Sequence, residues 1–589
     1  MKKGIYVTVK LCAILLICSC VILSLNACAT STQESGNQTS AAENTAAAQT
    51  TAAAATTVAA QTTEAATATG AAQDGAPDPF KKYDPPIEMP VAYSVSAVQY
   101  FPEGDDYENN VWSRYFAENY GIILKVLWTA DGSTDAYRNK MNVSLASGDL
   151  PAVFDGDYQF FKAAVDAGYA ADLTDIWENW TSERVKKTAE DFDLHFQAST
   201  IDGKLLAIPK LAYVEQQGHI LWIRSDWLDA VGLSAPKTFE DVVEIARAFK
   251  EKDPDGNGID DTYGIGLRMD LFNFDFFNIN GIMSAYGAPT RSDEQFFRDD
   301  ETGKILYAGI IPEAKEALML VNQLYNEGVI DPEFGNKDAP KIEEDINNNR
   351  VGMGYGAEWN GWYPYASIYQ NDGVIYRPYA PPAAEGKKLR IGTPFPLSWY
   401  NIFSSAYEHP EAVMIVRNAA DEFVNADTTD DIREIYNDKE QWRFVPWRFN
   451  APSELEMQEY FEVAYANNND ESLVPNGYKF SFRQVMSFID EGDPNGQGAW
   501  TQRGPGSSSA IILHELKPAG VYYVSPLIGS RPDSYVNLMT SLNKIIEQSY
   551  TEIIVGAPTD VGPKFDSFVE SWLSSGGQKV LDDINEMYP

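Results

Sequence analysis

Residues 221–265 read LWIRSDWLDAVGLSAPKTFEDVVEIARAFKEKDPDGNGIDDTYGI and contain three successive patterns. Residues 221–224, apolar up to Arg224, predict a short buried strand. Residues 236–252 predict an amphipathic helix, because Thr238 is a favourable N-cap and apolar residues then recur at helical spacing. Residues 253–261 follow as an acidic loop broken by glycine. A strand followed by a packed helix is a building unit of α/β folds.

The acidic loop has the ligand spacing of an EF-hand calcium site. With Asp253 as position 1, ligand residues fall at the usual positions, and Gly258 occupies the turn at position 6. The predicted ligands of a structural Ca²⁺ are Asp253, Asp255, Asn257, the carbonyl of Ile259, and Asp261. Position 12, where a bidentate glutamate is usual, is Gly264, so two ligand oxygens are missing. The alternative is an aspartate-rich turn that binds no metal.

Charge and cysteine content exclude several classes of protein. The chain has 589 residues and a formal net charge of −40. This acidity argues against binding to nucleic acid or to anionic lipid, because their phosphates would repel it. All four cysteines lie within the first 28 residues. The rest of the chain therefore has no disulfide, no cysteine nucleophile and no cysteine-ligated zinc.

The N-terminus has the pattern of a bacterial lipoprotein signal peptide, with lysines before an apolar run at 11–25. Leu-Asn-Ala-Cys at 25–28 resembles a lipobox, which predicts a signal peptide at 1–27 and lipidation of Cys28. The sequence ICSC at 17–20 is a weaker competitor, because cleavage there would shorten the apolar run. A transmembrane anchor is the alternative, but the run is shorter than the ~20 residues needed to span a bilayer.

Residues 28–84 are predicted to be a lipidated, disordered tether rich in alanine and threonine. Residues 29–78 contain no aromatic residue and no apolar periodicity. Such a segment cannot bury enough surface to offset the entropy lost on ordering. A proline cluster between Pro77 and Pro90 marks its end.

The remainder of the chain alternates predicted strands with predicted helices. Strands are expected at 91–98, 121–129 and 150–154, and helices at 110–120 and 137–147. This alternation predicts an α/β fold with a mainly parallel sheet. Ligands of such sheets lie beyond the carboxyl ends of the strands.

An ordered series of short motifs resembles the bacterial extracellular solute-binding proteins of ABC sugar importers, in the large lipoprotein branch of Gram-positive bacteria. The motifs are SGDLP at 147–151, ADLT at 171–174, DGK at 202–204, WIRSDWL at 222–228, PKTF at 236–239, the acidic loop at 253–261, LYNEGVIDPE at 324–333, GM at 352–353, HPEA at 409–412, and the end of the chain at 576–588.

The resemblance implies an α/β, two-lobed fold of the type II periplasmic-binding-protein kind, with a hinge and an interlobe cleft. Lobe 1 is expected to comprise 85–212 and 398–450, and lobe 2 to comprise 213–397 and 451–589. The implied function is to capture an extracellular carbohydrate, most simply an oligosaccharide, and to deliver it to ABC permease subunits. The protein is expected to be a monomer on the outer face of the membrane. In relatives with the acidic loop, calcium lies in one lobe, away from the ligand.

Aromatic rings stack on the apolar C–H faces of sugars, while carboxylates and amides bind the hydroxyls. Trp222, Trp227 and Trp572 lie in apolar runs and are expected in the core. The predicted ligand contacts lie just past strands, near the hinge, or in loops: Trp359, Trp362, Trp399, Tyr400, Asp155, Glu358, Gln216, Trp500 and Arg503. Asp155 and Glu358 have an alternative role as solvated charges.

Two other classes remain open. A surface glycoside hydrolase needs two carboxylates beside one bond, and 85 acidic residues always supply such pairs. An adhesin would share the lipid anchor and the tether. Motifs of zinc proteases, serine hydrolases and P-loop proteins are absent from the sequence. The four histidines are scattered without ligand spacing.

Overall fold

The computed structural model describes residues 77–95, 101–131, 136–190, 192–291, 295–425 and 453–589. Residues Gly75–Pro589 form one compact unit. The predicted signal peptide, Cys28, most of the predicted tether, and residues 426–450 of the predicted lobe 1 lie outside the described residues.

The described chain mixes strands and helices throughout. The strands are β1 Ile87–Val95, β2 Ile122–Asp131, β3 Val153–Gly156, β4 Thr200–Ile201, β5 Lys204–Leu205, β6 Ile208–Leu211, β7 Ile220–Arg224, β8 Tyr263–Ile265, β9 Phe276–Asn278, β10 Phe296–Arg298, β11 Ile305–Tyr307, β12 Val351–Gly356, β13 Tyr376–Tyr379, β14 Ile391–Thr393, β15 Leu397–Phe403 and β16 Tyr522–Val524.

The α-helices carry the labels used below. They are α1 Val111–Tyr120, α2 Ala136–Ser147, α3 Tyr158–Asp166, α4 Thr174–Trp180, α5 Glu183–Ala189, α6 Asp193–Ala198, α7 Ser225–Val231, α8 Phe239–Glu251, α9 Asn280–Tyr286, α10 Pro312–Asn326, α11 Ala339–Asn347, α12 Tyr365–Asp372, α13 Pro410–Asn425, α14 Glu454–Ala466, α15 Asn476–Met486, α16 Gln497–Arg503, α17 Ser509–Leu516, α18 Asp533–Ile554, α19 Val561–Trp572 and α20 Gln578–Met587.

Lobe 1 is built around two small sheets. β1 pairs with β2 in parallel, while β15 lies between β3 and β6 and is antiparallel to both. The N–H of Ala152, just before β3, donates to the carbonyl of Pro90 in β1 at 2.7 Å, which joins the two sheets. Helices α1 and α13 pack their apolar faces against this layer, so that Trp112, Phe116 and Val416 are buried.

Lobe 2 contains the larger sheet and the larger core. Its strands lie in the order β13, β7, β12, β8, and β9 also pairs with β12. Helices α8, α10 and α18 to α20 cover the sheet with a continuous apolar cluster. The three tryptophans expected in the core, Trp222, Trp227 and Trp572, are each fully buried.

The expectation of a mainly parallel sheet is wrong. The pairs β1–β2, β8–β12 and β14–β16 are parallel, but every pair formed by β7 or β15 is antiparallel. Each of these two strands directly follows a segment that crosses from the other lobe. The chain therefore enters the sheet from the hinge, instead of returning through a helix as in a parallel βαβ unit.

Two crossing segments lie side by side and form the described part of the hinge. Residues 212–219 connect β6 to β7, and residues 394–396 connect β14 to β15. The N–H of Ala212 donates to the carbonyl of Pro396 at 3.2 Å. Nε2 of His195 lies 2.9 Å from the same carbonyl oxygen. Lobe 1 thus holds both crossing segments at one point.

Helix α8 begins and packs as its sequence predicts. Thr238 forms a capping box: the N–H of Asp241 donates to Oγ1 of Thr238 at 3.1 Å, and the N–H of Thr238 donates to Oδ2 of Asp241 at 2.9 Å. The buried face includes Val242, Ile245, Ala246 and Phe249. Burial of each large side chain contributes roughly 1.5–3 kcal/mol.

The folded body includes residues that composition assigned to the tether. Tyr83 is only 7% exposed and lies in the lobe 1 core. Its N–H donates to the carbonyl of Tyr120 at 2.9 Å, and its hydroxyl donates to Glu411 at 2.8 Å. Tyr83 therefore packs as part of the folded body, before residue 84 at which the tether was predicted to end.

Candidate ligand-binding cleft

A cleft of about 700 Å³ lies beside the two crossing segments, with walls from both lobes. Lobe 1 contributes Arg138, Asp157, Tyr158, Gln159, Trp399 and Tyr400; lobe 2 contributes Gln217, Arg291, Leu527, Gly529, Arg531 and Tyr535. The crossing segment 394–396 and Leu397, the first residue of β15, also line it. The lining therefore combines aromatic faces with amide and guanidinium donors.

A smaller pocket of about 230 Å³ continues from the cleft into lobe 1. It shares Arg138, Asp157, Gln159 and Trp399 with the cleft. Asp155 lines this pocket, where Oδ1 accepts a hydrogen bond from the Tyr137 hydroxyl at 2.9 Å. Burial raises the pKa of Asp155, and the Tyr137 hydrogen bond and the charge of Lys210 oppose that rise. Asp155 thus lies at the end of β3, beside the inner pocket.

Trp399 and Tyr400 come from β15, immediately after the second crossing segment. Trp399 is partly exposed and lines both the cleft and the inner pocket. Tyr400 is only 3% exposed, because its ring stacks on Phe161 with centroids 4.7 Å apart and planes 5° apart. The two residues therefore present one accessible indole and one packed phenol to the cleft.

A close approach of the two lobes occurs at Gly529. This residue has a φ of +76°, and a Cβ atom there would lie 3.1 Å from the ring of Tyr158 and 3.7 Å from the hydroxyl of Tyr400. Glycine suits this conformation and also leaves room for the lobe 1 tyrosines. The loop of lobe 2 can therefore rest directly against the aromatic wall of lobe 1.

The lobe 2 wall holds two guanidinium groups in fixed positions. Nη1 of Arg291 donates to the carbonyl of Gln217, Nη2 donates to Oε1 of Gln217 at 3.3 Å, and the group lies 4.2 Å over the ring of Phe274. Nη1 of Arg531 donates to the carbonyl of Gly529 at 2.8 Å. Backbone carbonyls and aromatic rings thus orient both side chains along the cleft.

Trp359 lies behind this wall. Its ring is half-buried and makes an edge contact with Phe274, with centroids 6.4 Å apart, and Phe274 in turn lies under Arg291. The predicted contact of Trp359 with ligand stays a prediction. Gln216 occupies the 3₁₀ turn Glu215–Gln217, whose next residue, Gln217, lines the cleft.

Glu358, Trp362 and Arg503 belong to a buried polar network that joins the end of β12 to helices α14 and α16. Nε1 of Trp362 donates to Oε1 of Gln502 at 2.8 Å, and Nε2 of Gln502 donates to Glu358 at 2.7 Å. Arg503 pairs with Glu454 through two contacts of 2.6 Å. Burial and the nearby Glu454 raise the pKa of Glu358 to about 8. This network connects β12 to helices α14 and α16, and ligand contact by Glu358, Trp362 and Arg503 stays a prediction.

Trp500 lies in the same region, in a small core of its own. Its ring contacts Phe488 at 4.9 Å, and the guanidinium of Arg377 lies 4.5 Å above it. Helices α14 to α16 enclose this core, with Phe461 and Phe482 at its centre. Trp500 therefore contacts the lobe 2 sheet through Arg377, which lies in its edge strand β13.

Sequence reasoning missed the charged residues of the cleft. Arg138, Arg291 and Arg531 lie on a helix, after a helix, and in a loop, without a motif around any of them. Only the tertiary fold brings them to one cavity. Gln217, which lines the cleft, directly follows the predicted Gln216, and the contact of Gln216 with ligand stays a prediction.

The acidic loop is connected internally by hydrogen bonds that involve its predicted ligands. Asn257 donates through Nδ2 to Asp255 at 2.6 Å and to Asp261 at 3.2 Å, and the N–H of Gly258 donates to Oδ2 of Asp253 at 2.9 Å. Burial and the nearby carboxylates of Asp253 and Asp261 raise the pKa of Asp255. Oδ1 of Asp253 is buried and accepts no hydrogen bond.

These features fit a cation, since oxygens crowd together and one buried carboxylate oxygen lacks a donor. A group of three or more His, Cys, Asp or Glu side chains spaced to hold a metal does not occur in the described chain. The candidate site therefore depends on the Asn257 amide and the Ile259 carbonyl as well as on carboxylates.

The structure explains why position 12 of this loop carries no carboxylate. Gly264 lies in β8, directly under α8, and a Cβ atom there would be 2.0 Å from the carbonyl oxygen of Ala246. Thr262 is also unavailable, because its hydroxyl donates to the carbonyl of Phe249 at 2.9 Å. The close packing of strand and helix thus excludes the usual bidentate glutamate.

The sequence model described as bacterial extracellular solute-binding protein matches residues 100–432, more than half of the chain. The protein belongs to this family. Its two-lobed architecture and interlobe cleft agree with that membership. Among residues for which the structure gives positions, no helix is long and apolar enough to cross a membrane.

Three relatives illustrate how this solute-binding protein compares with known ones. Lipoprotein LipO of Bacillus subtilis is 26% identical over 481 residues, covering 80% of this chain and 86% of LipO. The polygalacturonan/rhamnogalacturonan-binding protein YtcQ of the same organism is 28% identical over 234 residues, or 39% of this chain and 43% of YtcQ. FusA of Streptococcus pneumoniae, solved with kestose, superposes with a TM-score of 0.58 at 15% identity, covering 85% of this chain and 99% of FusA. A structure of an EF-hand mutant of FusA has a TM-score of 0.56.

Proposed function

We propose that this protein captures an extracellular oligosaccharide in the interlobe cleft and delivers it unchanged to an ABC permease. The cleft itself is the observation that carries the proposal. Its volume of about 700 Å³ is within the usual range of ligand pockets, and it combines Trp399 and Tyr158 with the amides of Gln159 and Gln217. Aromatic faces and amides are the groups that bind the two kinds of surface on a sugar ring.

The relatives support the same solute class. YtcQ is described as binding polygalacturonan and rhamnogalacturonan, and FusA as a substrate-binding protein of a fructooligosaccharide ABC transporter. The similarity to LipO supports lipid anchoring, and Cys28 is the residue proposed to carry the lipid. We further propose that the protein acts as a monomer on the outer face of the membrane.

The mechanism follows from walls that belong to different lobes. Trp399 of lobe 1 and Gln217 and Arg531 of lobe 2 line the same cleft, so a solute between them can contact both lobes at once. A solute that contacts both lobes in the closed form and only one lobe in the open form binds the closed form more tightly. It therefore shifts the equilibrium towards the closed form by this difference in binding free energy. The crossing segments 212–219 and 394–396 are where backbone rotation would move one lobe against the other.

We expect the protein to release its solute chemically unchanged. Asp157 caps α3, where it accepts from the N–H of Phe160 at 2.9 Å, and lies 3.3 Å from Arg138. Asp155 accepts from Tyr137 at 2.9 Å. Both carboxylates of the described lining thus have positioning roles, whereas a hydrolase needs one acid and one base or nucleophile facing the bond.

We also propose that the acidic loop binds a structural Ca²⁺. Asp253, Asp255, Asn257, the Ile259 carbonyl and Asp261 would hold it, and waters would complete the shell. The cation would neutralise the crowded carboxylates and join the end of α8 to β8. The EF-hand mutant made in FusA is consistent with a related site in that protein.

The functional test is a titration of the compact unit Gly75–Pro589 against a panel of oligosaccharides, with chromatography of the solute afterwards. Saturable binding and recovery of intact solute are expected. Release of shorter products would contradict the transport proposal in favour of a hydrolase, and a panel without any binder would favour an adhesin.

A further inference from the structure

The crossing segment 394–396 has a proline at each end and Phe395 between them. Proline fixes φ at about −65°, and the residue before a proline is restricted to extended conformations. The segment therefore has fewer free backbone torsions than an ordinary linker, so a displacement of its lobe 1 end also displaces Phe395. Because Phe395 lines the cleft, the lobe 1 end of this segment affects a wall that faces the solute.

His195 on helix α6 holds the lobe 1 end of this segment. Its Nε2 lies 2.9 Å from the carbonyl oxygen of Pro396, which also accepts the N–H of Ala212 in the other crossing segment at 3.2 Å. A carbonyl oxygen has two lone pairs and no proton to donate. Nε2 of His195 must therefore carry the proton, and the two donors together use both lone pairs of this oxygen.

The imidazole of His195 is also packed between two aromatic rings. Its centroid lies 5.0 Å from that of Phe192 in an edge contact and 4.8 Å from that of Phe395, with planes 35° apart. Burial lowers the pKa of His195 below its ordinary value of 6.5, so the ring is neutral at physiological pH. One neutral ring thus joins lobe 1 to the backbone of Pro396 and to the side chain of Phe395.

The second ring nitrogen leaves the Pro396 carbonyl as the group that selects the tautomer. Nδ1 of His195 is buried and has no hydrogen-bond partner among the described residues. His195 itself is not part of the described lining of the cleft. Any effect of His195 on a bound solute is therefore transmitted through Pro396 and Phe395.

We infer that His195 is a positioning residue for solute binding. Its Nε2–H fixes the point at which the two crossing segments meet lobe 1, and its ring sets the place of Phe395 in the cleft. A wall that is ordered before the solute arrives loses less entropy when the solute binds. Removal of this N–H therefore weakens binding although no contact with the solute is lost; this effect on affinity rests on the proposed function.

The first test needs no solute. The chain has four histidines, so selective ¹⁵N labelling of histidine gives a simple NMR spectrum, and His195→Gln identifies the signals of His195. We expect a neutral ring with its proton on Nε2 and slow exchange of that proton with solvent. A proton on Nδ1, or rapid exchange of the Nε2 proton, would overturn the inference.

Two variants separate the hydrogen bond from the ring. His195→Phe keeps an aromatic ring between Phe192 and Phe395 and removes the donor, whereas His195→Gln keeps a donor near the position of Nε2. We expect the amide of Ala212 to exchange with deuterium about fivefold faster in His195→Phe, because one hydrogen bond at the crossing is lost, and at close to the wild-type rate in His195→Gln. His514→Phe is the control, since His514 is exposed on helix α17. Wild-type exchange in His195→Phe would contradict the inference.

Solute affinity gives the second readout. Calorimetry with maltotetraose, kestose and tetragalacturonate identifies a probe that wild type binds. We expect a folded His195→Phe to bind that probe about fivefold more weakly and His195→Gln to recover most of the affinity. Equal affinity of wild type and His195→Phe would overturn the positioning role, and so would equal weakening in both variants. If wild type binds none of the probes, the proposed function fails, and the proton position and the exchange rates decide the role of His195.

Discussion

Trp399 illustrates what one residue contributes to this cleft. It lies two residues after the start of β15, which brings the chain out of the hinge, and its indole lines both the cleft and the inner pocket. Neighbouring Tyr400 is instead fixed by stacking on Phe161. Trp399 therefore presents accessible indole surface to the cleft, while Tyr400 packs β15 against α3 through Phe161.

Glu358 provides a prediction at the residue scale. Its pKa of about 8 in the folded protein lies above the ordinary value of 4.5. A raised pKa means that folding favours the protonated form, so this stabilisation is complete below about pH 4.5 and is lost as the pH rises through about 8. We expect the free energy of unfolding to fall between pH 5 and 8 by an amount on the order of a few kcal/mol, measured by urea denaturation.

Glu358→Gln should remove most of that decline, because glutamine stays neutral and keeps a similar shape. Glu301→Gln, in an exposed turn, is the control and should retain the decline. The same pH dependence in wild type and Glu358→Gln would show that Glu358 does not titrate in this range.

The residues of the site differ in how far sequence could predict them. Trp399, Tyr400 and Asp155 were predicted from their positions near a hinge or past a strand, and the structure places all three at the cleft or its inner pocket. Arg138, Arg291 and Arg531 were missed because each acquires its role only through the packing of distant segments. Glu358 and Arg503 have partners, Gln502 and Glu454, that lie far away in the sequence.

At the scale of elements, the most local signals were the most reliable. Helix α8 was predicted from its N-cap and its apolar periodicity, both of which depend on residues within a few positions of one another. Strand direction was not predictable in that way. Strand direction depends on the end of the sheet at which the chain enters. Because β7 and β15 each follow a segment that crosses the hinge, they run antiparallel to their neighbours.

The capping box of α8 provides a stability prediction. Thr238→Ala removes the acceptor for the N–H of Asp241 and should cost about 1 kcal/mol in the free energy of unfolding. Thr238→Ser keeps the hydroxyl and should retain most of the stability. Equal stability of the alanine variant and wild type, measured by chemical denaturation, would show that the cap is not needed.

The acidic loop provides a prediction on metal removal. If Ca²⁺ neutralises Asp253, Asp255 and Asp261, adding a chelator should lower the Tm of the compact unit by several degrees, and added Ca²⁺ should restore it. Asp255→Ala should have a lower Tm that no longer responds to chelator. Asp299→Ala, in another acidic turn, is the control and should still respond. A wild-type Tm that ignores the chelator would contradict the calcium proposal.

At the scale of the whole molecule, two α/β lobes are joined by crossing segments that meet at the carbonyl of Pro396, which accepts from the N–H of Ala212 and lies 2.9 Å from Nε2 of His195 in lobe 1. The family resemblance predicted this architecture, which no local pattern specifies. The glycine at 529 adds a detail that the resemblance did not provide, since it lets lobe 2 approach the tyrosines of lobe 1.

Lobe closure should be visible in solution. We expect small-angle X-ray scattering to show a smaller radius of gyration when the compact unit is saturated with its oligosaccharide, because the solute contacts both walls. Trp399→Ala at the same solute concentration should remain close to the ligand-free value. An identical radius with and without saturating solute would contradict a mechanism of closure around the solute.

The most direct test of the account is the affinity of wild type and Trp399→Ala for one oligosaccharide that binds, measured by isothermal titration calorimetry. Removal of an aromatic side chain on which a nucleic-acid base stacks costs about 1–3 kcal/mol, and we expect a loss of the same order for a sugar ring stacked on Trp399. The account predicts a loss of at least tenfold in affinity for Trp399→Ala, with an unchanged Tm, and wild-type affinity for Tyr460→Ala, an exposed tyrosine outside the cleft lining. Wild-type affinity in a folded Trp399→Ala would contradict the assignment of this cleft as the binding site.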